Sequence, residues 1–187
     1  SAPEMMIIKN RDQAVDWIAW HEALADDHHL RFHDTHAALN SSTRFNSTDP
    51  SSTVFTLGTQ DDTNGSSKNM IAYCFHSVTG YSKFGSYSGT GSNVSVTTGF
   101  APAFTMIKRT DNADSWFIFD NTREPDGVVD LRLEANTDAA EATVTTGLTY
   151  TSTGFTVTST NGAFNANGGT YIYMAFADKR EYAYWLD

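Results

Sequence analysis

The residues with the most capacity for chemistry lie between positions 21 and 36: His21, Glu22, Asp26, Asp27, His28, His29, His33, Asp34 and His36. Neutral imidazole and carboxylate are the side chains that bind divalent transition metals. His21, His28, His29 and His33 are therefore the candidate metal ligands, weighed against a solvated polar loop. The spacing does not suit a zinc hydrolase, because His21-Glu22 is not followed by a second His one helical turn on. The carboxylate pairs Asp26-Asp27 and Asp61-Asp62 are adjacent, and neighbours in extended chain point apart, whereas paired acid–base work needs two groups converging on one substrate. No Gly-x-Ser-x-Gly elbow occurs, and the many serines sit in Gly- and Thr-rich turns. This pattern predicts no catalytic residues and no cofactor.

A second class of candidate is aromatic. Trp17, Trp20, Tyr81, Tyr87, Trp116 and Tyr182 could stack on sugar faces, since Tyr and Trp join a flat apolar ring to a polar handle. The competing reading packs them between sheets or between protomers. Cys74 is the only cysteine and lies in the apolar run Met70-Ile71-Ala72-Tyr73-Cys74-Phe75, which predicts a small core residue.

Twelve Lys and Arg against twenty-two Asp and Glu give a formal net charge of -10. Such a surface repels phosphate, which argues against nucleic acid and against an anionic membrane. No apolar stretch is long enough to insert in a bilayer as a helix.

The elements that must position these residues come from a duplication. Sliding the sequence by 99 positions sets Ala2-Pro3 on Ala101-Pro102, Ile8-Lys9 on Ile107-Lys108, Asp12 on Asp111, Ala14 on Ala113 and Trp17 on Trp116. Further on, Leu30-Arg31 meets Leu131-Arg132, Phe55-Thr56-Leu57 meets Phe155-Thr156-Val157, and Ile71 and Phe75 meet Ile172 and Phe176; Tyr81 and Phe84 meet Tyr182 and Trp185. Two tandem repeats, residues 1–98 and 99–187, follow from this offset.

Each repeat reads as about five strands. In the first they fall near 5–9, 17–21, 30–32, 54–57 and 70–75, followed by the aromatic segment 81–87. In the second they fall near 104–108, 116–119, 131–133, 155–158 and 171–176, with 182–185 after them. Alternation in Leu131-Arg132-Leu133 and Phe155-Thr156-Val157-Thr158 suits a sheet with one buried face. The runs Asp61 to Ser66 and Asn165 to Gly169 read as hairpin turns. The expected fold is all-β, a lectin-like β-sandwich or jelly roll. Lys9 and Lys108, at equivalent positions ending an apolar strand, are expected to be edge charges that discourage aggregation.

The strings Ala2-Pro3-Glu4-Met5-Met6-Ile7-Ile8-Lys9-Asn10-Arg11, Ile71-Ala72-Tyr73-Cys74-Phe75-His76, Gly80-Tyr81-Ser82-Lys83-Phe84-Gly85-Ser86-Tyr87, Gly99-Phe100-Ala101-Pro102 and Tyr171-Ile172-Tyr173-Met174-Ala175-Phe176-Ala177 resemble an uncharacterised domain family of marine bacteriophage tail-fibre-like virion proteins. The resemblance spans essentially the whole chain. It implies a non-catalytic module of a longer virion protein, often beside lectin-like or SPRY-type domains, and supplies no site residues to carry over. In that family a strand comparable to 92–98 is expected before the first Ala-Pro. Its absence here predicts a fragment, or a strand donated by a neighbour.

The expected function is accordingly a structural module of a tail fibre or capsid-attached fibre that presents loops for host attachment, located in the virion and assembled in the host cytoplasm. The alternative is a lectin-like module binding host surface glycan, and a third reading is a polysaccharide-degrading enzyme. The expected partners are other virion proteins and copies of the chain itself, in a homo-oligomer that fibre analogy makes a trimer.

Overall fold

A computed structural model describes residues 1–178. The first sheet is laid down by β1 (Met5–Asn10), β2 (Trp17–His21), β3 (His28–Arg31) and the short β4 (Leu39–Asn40); after a long excursion and the single-turn helix α1 (Asp61–Asn64) it is completed by β5 (Met70–Phe75). The chain then builds β6 (Ser82–Ser88), β7 (Val94–Thr97), β8 (Pro102–Arg109), β9 (Trp116–Asp120), β10 (Val128–Glu134), β11 (Ala142–Thr151) and β12 (Gly154–Val157), passes through a second single-turn helix, α2 (Gly162–Asn165), and closes with β13 (Thr170–Ala177). The protein is thus nearly all-β. Its two sheets have the orders β4-β3-β2-β1-β5 and β6-β13-β8-β9-β10-β11-β12-β7. Every strand pairing is antiparallel, and the larger sheet is barrel-like.

Burial explains why several strands read as unbroken apolar runs rather than alternating ones. The odd-numbered Tyr171, Tyr173 and Ala175 of β13 point into the larger sheet's concave interior with Ile107, Phe117, Phe119, Phe155 and Val157. The even-numbered Ile172 and Met174 point the other way and, with Met106 and Trp116, meet Met5, Ile7, Ala19 and Leu30 of the smaller sheet. The opposite face of β1 is covered in turn: Met6 and Ile8 pack with Ile18, Trp20 and Phe45, against Phe55 and Leu57 from the excursion. A strand covered on both faces has no polar side to alternate with. α2 plugs the interior of the larger sheet, where the fully buried Phe164 meets the rings of Phe117 and Phe119 at 4.6 and 5.5 Å. Asn161 caps that turn by accepting from the Ala163 N–H at 2.9 Å.

Several local expectations are corrected. Residues 54–57 form no strand; Val54 is exposed, and Phe55 and Leu57 cover the first sheet instead of joining it. Of the two anticipated hairpin turns, Asp61 to Ser66 is mostly the single-turn helix α1, whereas Asn165 to Gly169 is a turn following α2, closed by the Gly169 N–H on the Ala166 carbonyl at 2.9 Å, but the strands it joins, β12 and β13, do not pair as a hairpin. Arg31 stands opposite Ile18 in the β2–β3 pair, and Glu134 stands opposite Phe117 in the β9–β10 pair. Cys74 is exposed, on β5, which among the described residues pairs with β1 alone. Lys108 is fully buried, not an edge charge: β8 runs between β13 and β9, and its Nζ turns down to donate to the Arg109 carbonyl at 2.7 Å. Segment 182–185, including Tyr182 and Trp185, lies outside the described residues. Among the described residues no helix is long and apolar enough to cross a membrane.

Candidate functional site

Chemistry-bearing side chains come together where the loop before β2, the end of β3 and α1 meet. Asp16, Asp61 and Asp62, with Ala14, Val15 and Gln60, line an open depression of about 310 Å³. Asp16 is held by Arg31 at 3.0 Å and by the His33 Nε2 at 3.4 Å. Arg31 also reaches Asp34 at 3.6 Å, and Asp34 accepts from the ring and backbone N–H of His36, both at 2.9 Å. Burial opposes ionisation of Asp34, but those hydrogen bonds from His36 outweigh it and hold the carboxyl below its usual range. Asp62 is buried and accepts from Arg44 through Nε at 3.0 Å and Nη2 at 2.6 Å, both on Oδ2, while its Oδ1 has no hydrogen-bond partner.

Behind this network lies His29, almost wholly buried with neither ring nitrogen hydrogen-bonded. Burial, and then the positive charges of Arg44 and Arg31, push its imidazole down to about 4, so it is neutral at pH 7. His21, at the end of β2, is also fully buried. Burial lowers it to about 4 against the opposing pull of Glu4 and the Tyr173 backbone. Its Nδ1 accepts from the Ala23 N–H at 3.1 Å and its Nε2 has no partner of ordinary hydrogen-bond geometry.

The four histidines expected as metal ligands do not converge. His28 and His29 are consecutive on a strand and so project to opposite faces, where His28 meets Asp27 at 2.8 Å and His29 enters the interior. His33 turns to Asp16, and His21 is buried at the end of β2. Among the described residues no group of three or more His, Cys, Asp and Glu side chains is disposed to hold a metal ion. Asp16 and Asp62 are each paired with an arginine, Arg31 at 3.0 Å and Arg44 at 2.6 Å.

The aromatic candidates separate as well. Trp116 is buried between the sheets, donating its Nε1–H to the Arg31 carbonyl at 3.0 Å and packing on Phe32 at 5.0 Å. Trp20 is buried against Phe45. Tyr87 stacks on Tyr171 at 4.9 Å and donates to the Phe164 carbonyl at 2.7 Å, and burial raises its hydroxyl well above the usual range. Trp17 and Tyr81, 36% and 51% exposed, are the two that present a face to solvent. Trp17 directly follows Asp16 at the depression, whereas Tyr81 packs its edge on Phe176 at 6.0 Å. Tyr182 lies outside the described residues.

Two features escaped reading from sequence. The Arg44–Asp62 pair joins residues 18 apart through tertiary packing, with no local spacing to announce it. Buried Lys108 did have a signal in its match with Lys9, which likewise donates to the backbone of the turn that follows it, at Asn10 and, at 2.8 Å, Gln13. Burial lowers Lys108 to about 8, against the opposing charges of Asp114 and Asp34.

A family described as a domain of unknown function (DUF7483) matches residues 1–180. No curated protein and no solved structure matches the chain.

Proposed function

The chain belongs to the DUF7483 family, and we propose that it is a non-catalytic structural module of a phage fibre, built as two interlocked copies of one β unit. The observation that carries this reading is a hydrogen-bonded frame that occurs twice. The order β3-β2-β1-β5 in one sheet is matched by β10-β9-β8-β13 in the other. Asp12 accepts from the Asn69 N–H at 2.7 Å, and Asp111, at the equivalent position, accepts from the Thr170 N–H at 3.2 Å. Asn10 donates to the carbonyl of the first residue of α1 at 2.8 Å, and Arg109 to that of α2 at 3.0 Å. Glu22 N–H meets the Glu4 carbonyl and Asn121 N–H the Ala103 carbonyl, at 2.9 and 3.0 Å. Each frame serves packing and turn closure, which suits a structural scaffold.

The assignment to a phage fibre rests on the sequence strings that resemble marine phage fibre proteins and on an acidic, turn-rich β composition. Antibody raised against the protein and imaged by electron microscopy on purified particles tests it. Decoration of the particle at a fibre supports the assignment, and signal confined to the infected-cell lysate removes it.

Glycan attachment is the second reading, favoured by the exposed Trp17 ring, since a flat aromatic face can stack on a sugar ring. Titration calorimetry with host surface polysaccharide tests it. Saturable binding lost in Trp17→Ala, with unchanged stability, supports it.

A further inference from the structure

The turn after β2, the strand β6 and the adjoining ends of β8 and β13 line a groove of about 350 Å³. Its floor is set by strand alternation. Ser86 stands opposite Ile172 in the β6–β13 ladder and Ser88 opposite Thr170, all on the face that turns toward the smaller sheet. Tyr87 and Tyr171, between them, carry their rings to the other face. There they stack at 4.9 Å and donate to the Phe164 and Gly162 carbonyls of α2 at 2.7 and 2.6 Å, which pins the floor from behind. Thr110 extends the row of Ser88 and Thr170, sharing a hydrogen bond between its Oγ1 and the Thr170 Oγ1 at 2.6 Å. Ala23 lines the groove from the side of the smaller sheet, in the turn fixed by its N–H bond to the His21 Nδ1 at 3.1 Å.

Three features of this lining select a ligand. No Asp, Glu, Lys or Arg takes part, so an entering ion would give up hydration for no counter-charge in the lining, and the net charge of -10 repels anions further. The Ser86 and Ser88 hydroxyls have no hydrogen-bond partner among the described residues, and each can donate once and accept twice. Ile172 and Ala23 add an apolar strip beside them. Ser86 and Ser88 are about 6.6 Å apart along β6, and Ser88 and Thr170 about 4.5–5.5 Å apart across the ladder, the span of a six-membered ring with its substituents.

We propose that the groove binds a neutral pyranose, its hydroxyls bonded to Ser86, Ser88 and the Thr110–Thr170 pair and its C–H groups set beside Ile172 and Ala23. The volume lies at the lower end of the roughly 300–1,000 Å³ of small-molecule sites, so the unit read is a single ring or the end of a chain. The groove depends on neither the fibre assignment nor Trp17, which begins β2 whereas Ala23 follows its end.

Heteronuclear NMR of the full chain tests this, with the methyl glycosides of glucose, galactose and mannose as probes and galacturonate as the charged comparator. At least one neutral glycoside should shift the amides of Ser86, Ser88, Thr110 and Thr170 saturably, with a dissociation constant of about 1–10 mM. Galacturonate should leave them in place. Ser86→Val with Ser88→Val keeps strand-forming side chains at both positions and should weaken binding about tenfold or more, as the loss of two hydrogen bonds requires. Trp17→Ala should leave the constant unchanged.

Absence of saturable shifts at those four amides with every neutral glycoside overturns the proposal on the unsubstituted chain, whatever the variants do. Full affinity in the double valine variant overturns it too, and galacturonate binding as tightly as the galactoside overturns the ligand class. Shifts that centre on Trp17 and vanish in Trp17→Ala, with the four amides still, remove this groove and leave the glycan reading at Trp17 standing.

Discussion

Acidification should unfold this protein through its interior histidines. His21 and His29 both have imidazoles lowered from 6.5 to about 4 by burial. In the unfolded chain each binds a proton as pH falls through 6.5, while the folded chain resists until about 4. Stability is therefore complete above pH 6.5 and is lost progressively as pH falls from there toward 4. Between pH 7 and pH 5 the difference in proton binding amounts to about 2 kcal/mol for each histidine, or about 4 kcal/mol together. With an m-value of about 2 kcal/mol/M, the urea midpoint should drop by about 2 M. Glu22 and Asp114, whose carboxyls burial raises, act in the opposite sense and soften the fall. His21→Asn retains an acceptor for the Ala23 N–H and should remove about half of the pH dependence. A urea midpoint that does not move between pH 7 and pH 5, or an H21N variant that keeps the full slope, refutes the claim that these rings are buried in neutral form.

Three further outcomes follow from buried polar groups and packing. Lys108, lowered to about 8 by burial, holds fewer protons folded than unfolded from pH 8 to its unfolded value near 10.5. Stability should therefore rise by about 1 kcal/mol between pH 8 and pH 9, before the buried tyrosine hydroxyls, raised by burial, act in the opposite sense near pH 10, and Lys108→Met should abolish that rise in a pH series of urea titrations. Arg44→Met leaves Asp62 buried and uncompensated and should cost about 3 kcal/mol, whereas Arg44→Met with Asp62→Leu should recover most of it; chemical denaturation of the single and double variants measures the difference. Trp116→Ala removes a buried ring and its bond to the Arg31 carbonyl at the contact between the sheets. A loss of about 4 kcal/mol is expected by thermal or urea unfolding, against under about 2 kcal/mol for Trp17→Ala at the surface.

Strand identity was legible wherever the chain is buried on both faces. Met5-Met6-Ile7-Ile8 and Tyr171-Ile172-Tyr173-Met174-Ala175 announce themselves as apolar runs, and the shared offset locates their partners β2 and β9. β11 was not legible, because Ala142-Thr143-Val144-Thr145-Thr146-Gly147 is polar, Thr-rich and interrupted by a glycine. That glycine is required: a Cβ on Gly147 would stand 2.3 Å from the Val129 carbonyl, at the register shift in β10 where the Gly147 N–H donates to Asp130. Conversely, Phe55-Thr56-Leu57 alternates as a strand should, yet serves as a lid on β1 and β2, since alternation reports one buried face and not the presence of a pairing neighbour. The site was half legible. Its acidic and imidazole side chains are conspicuous in sequence, but their neutralisation by Arg31 and Arg44 depends on which elements fold together.

The first and last strands of the described fold, β1 and β13, are interior members of their sheets, each held by a ladder on both flanks. Tension entering at Met5 or leaving at Ala177 is shared at once between two rows of backbone bonds. Pulled along its length, such a strand loads both rows in shear, whereas an edge strand has a single row to hold it.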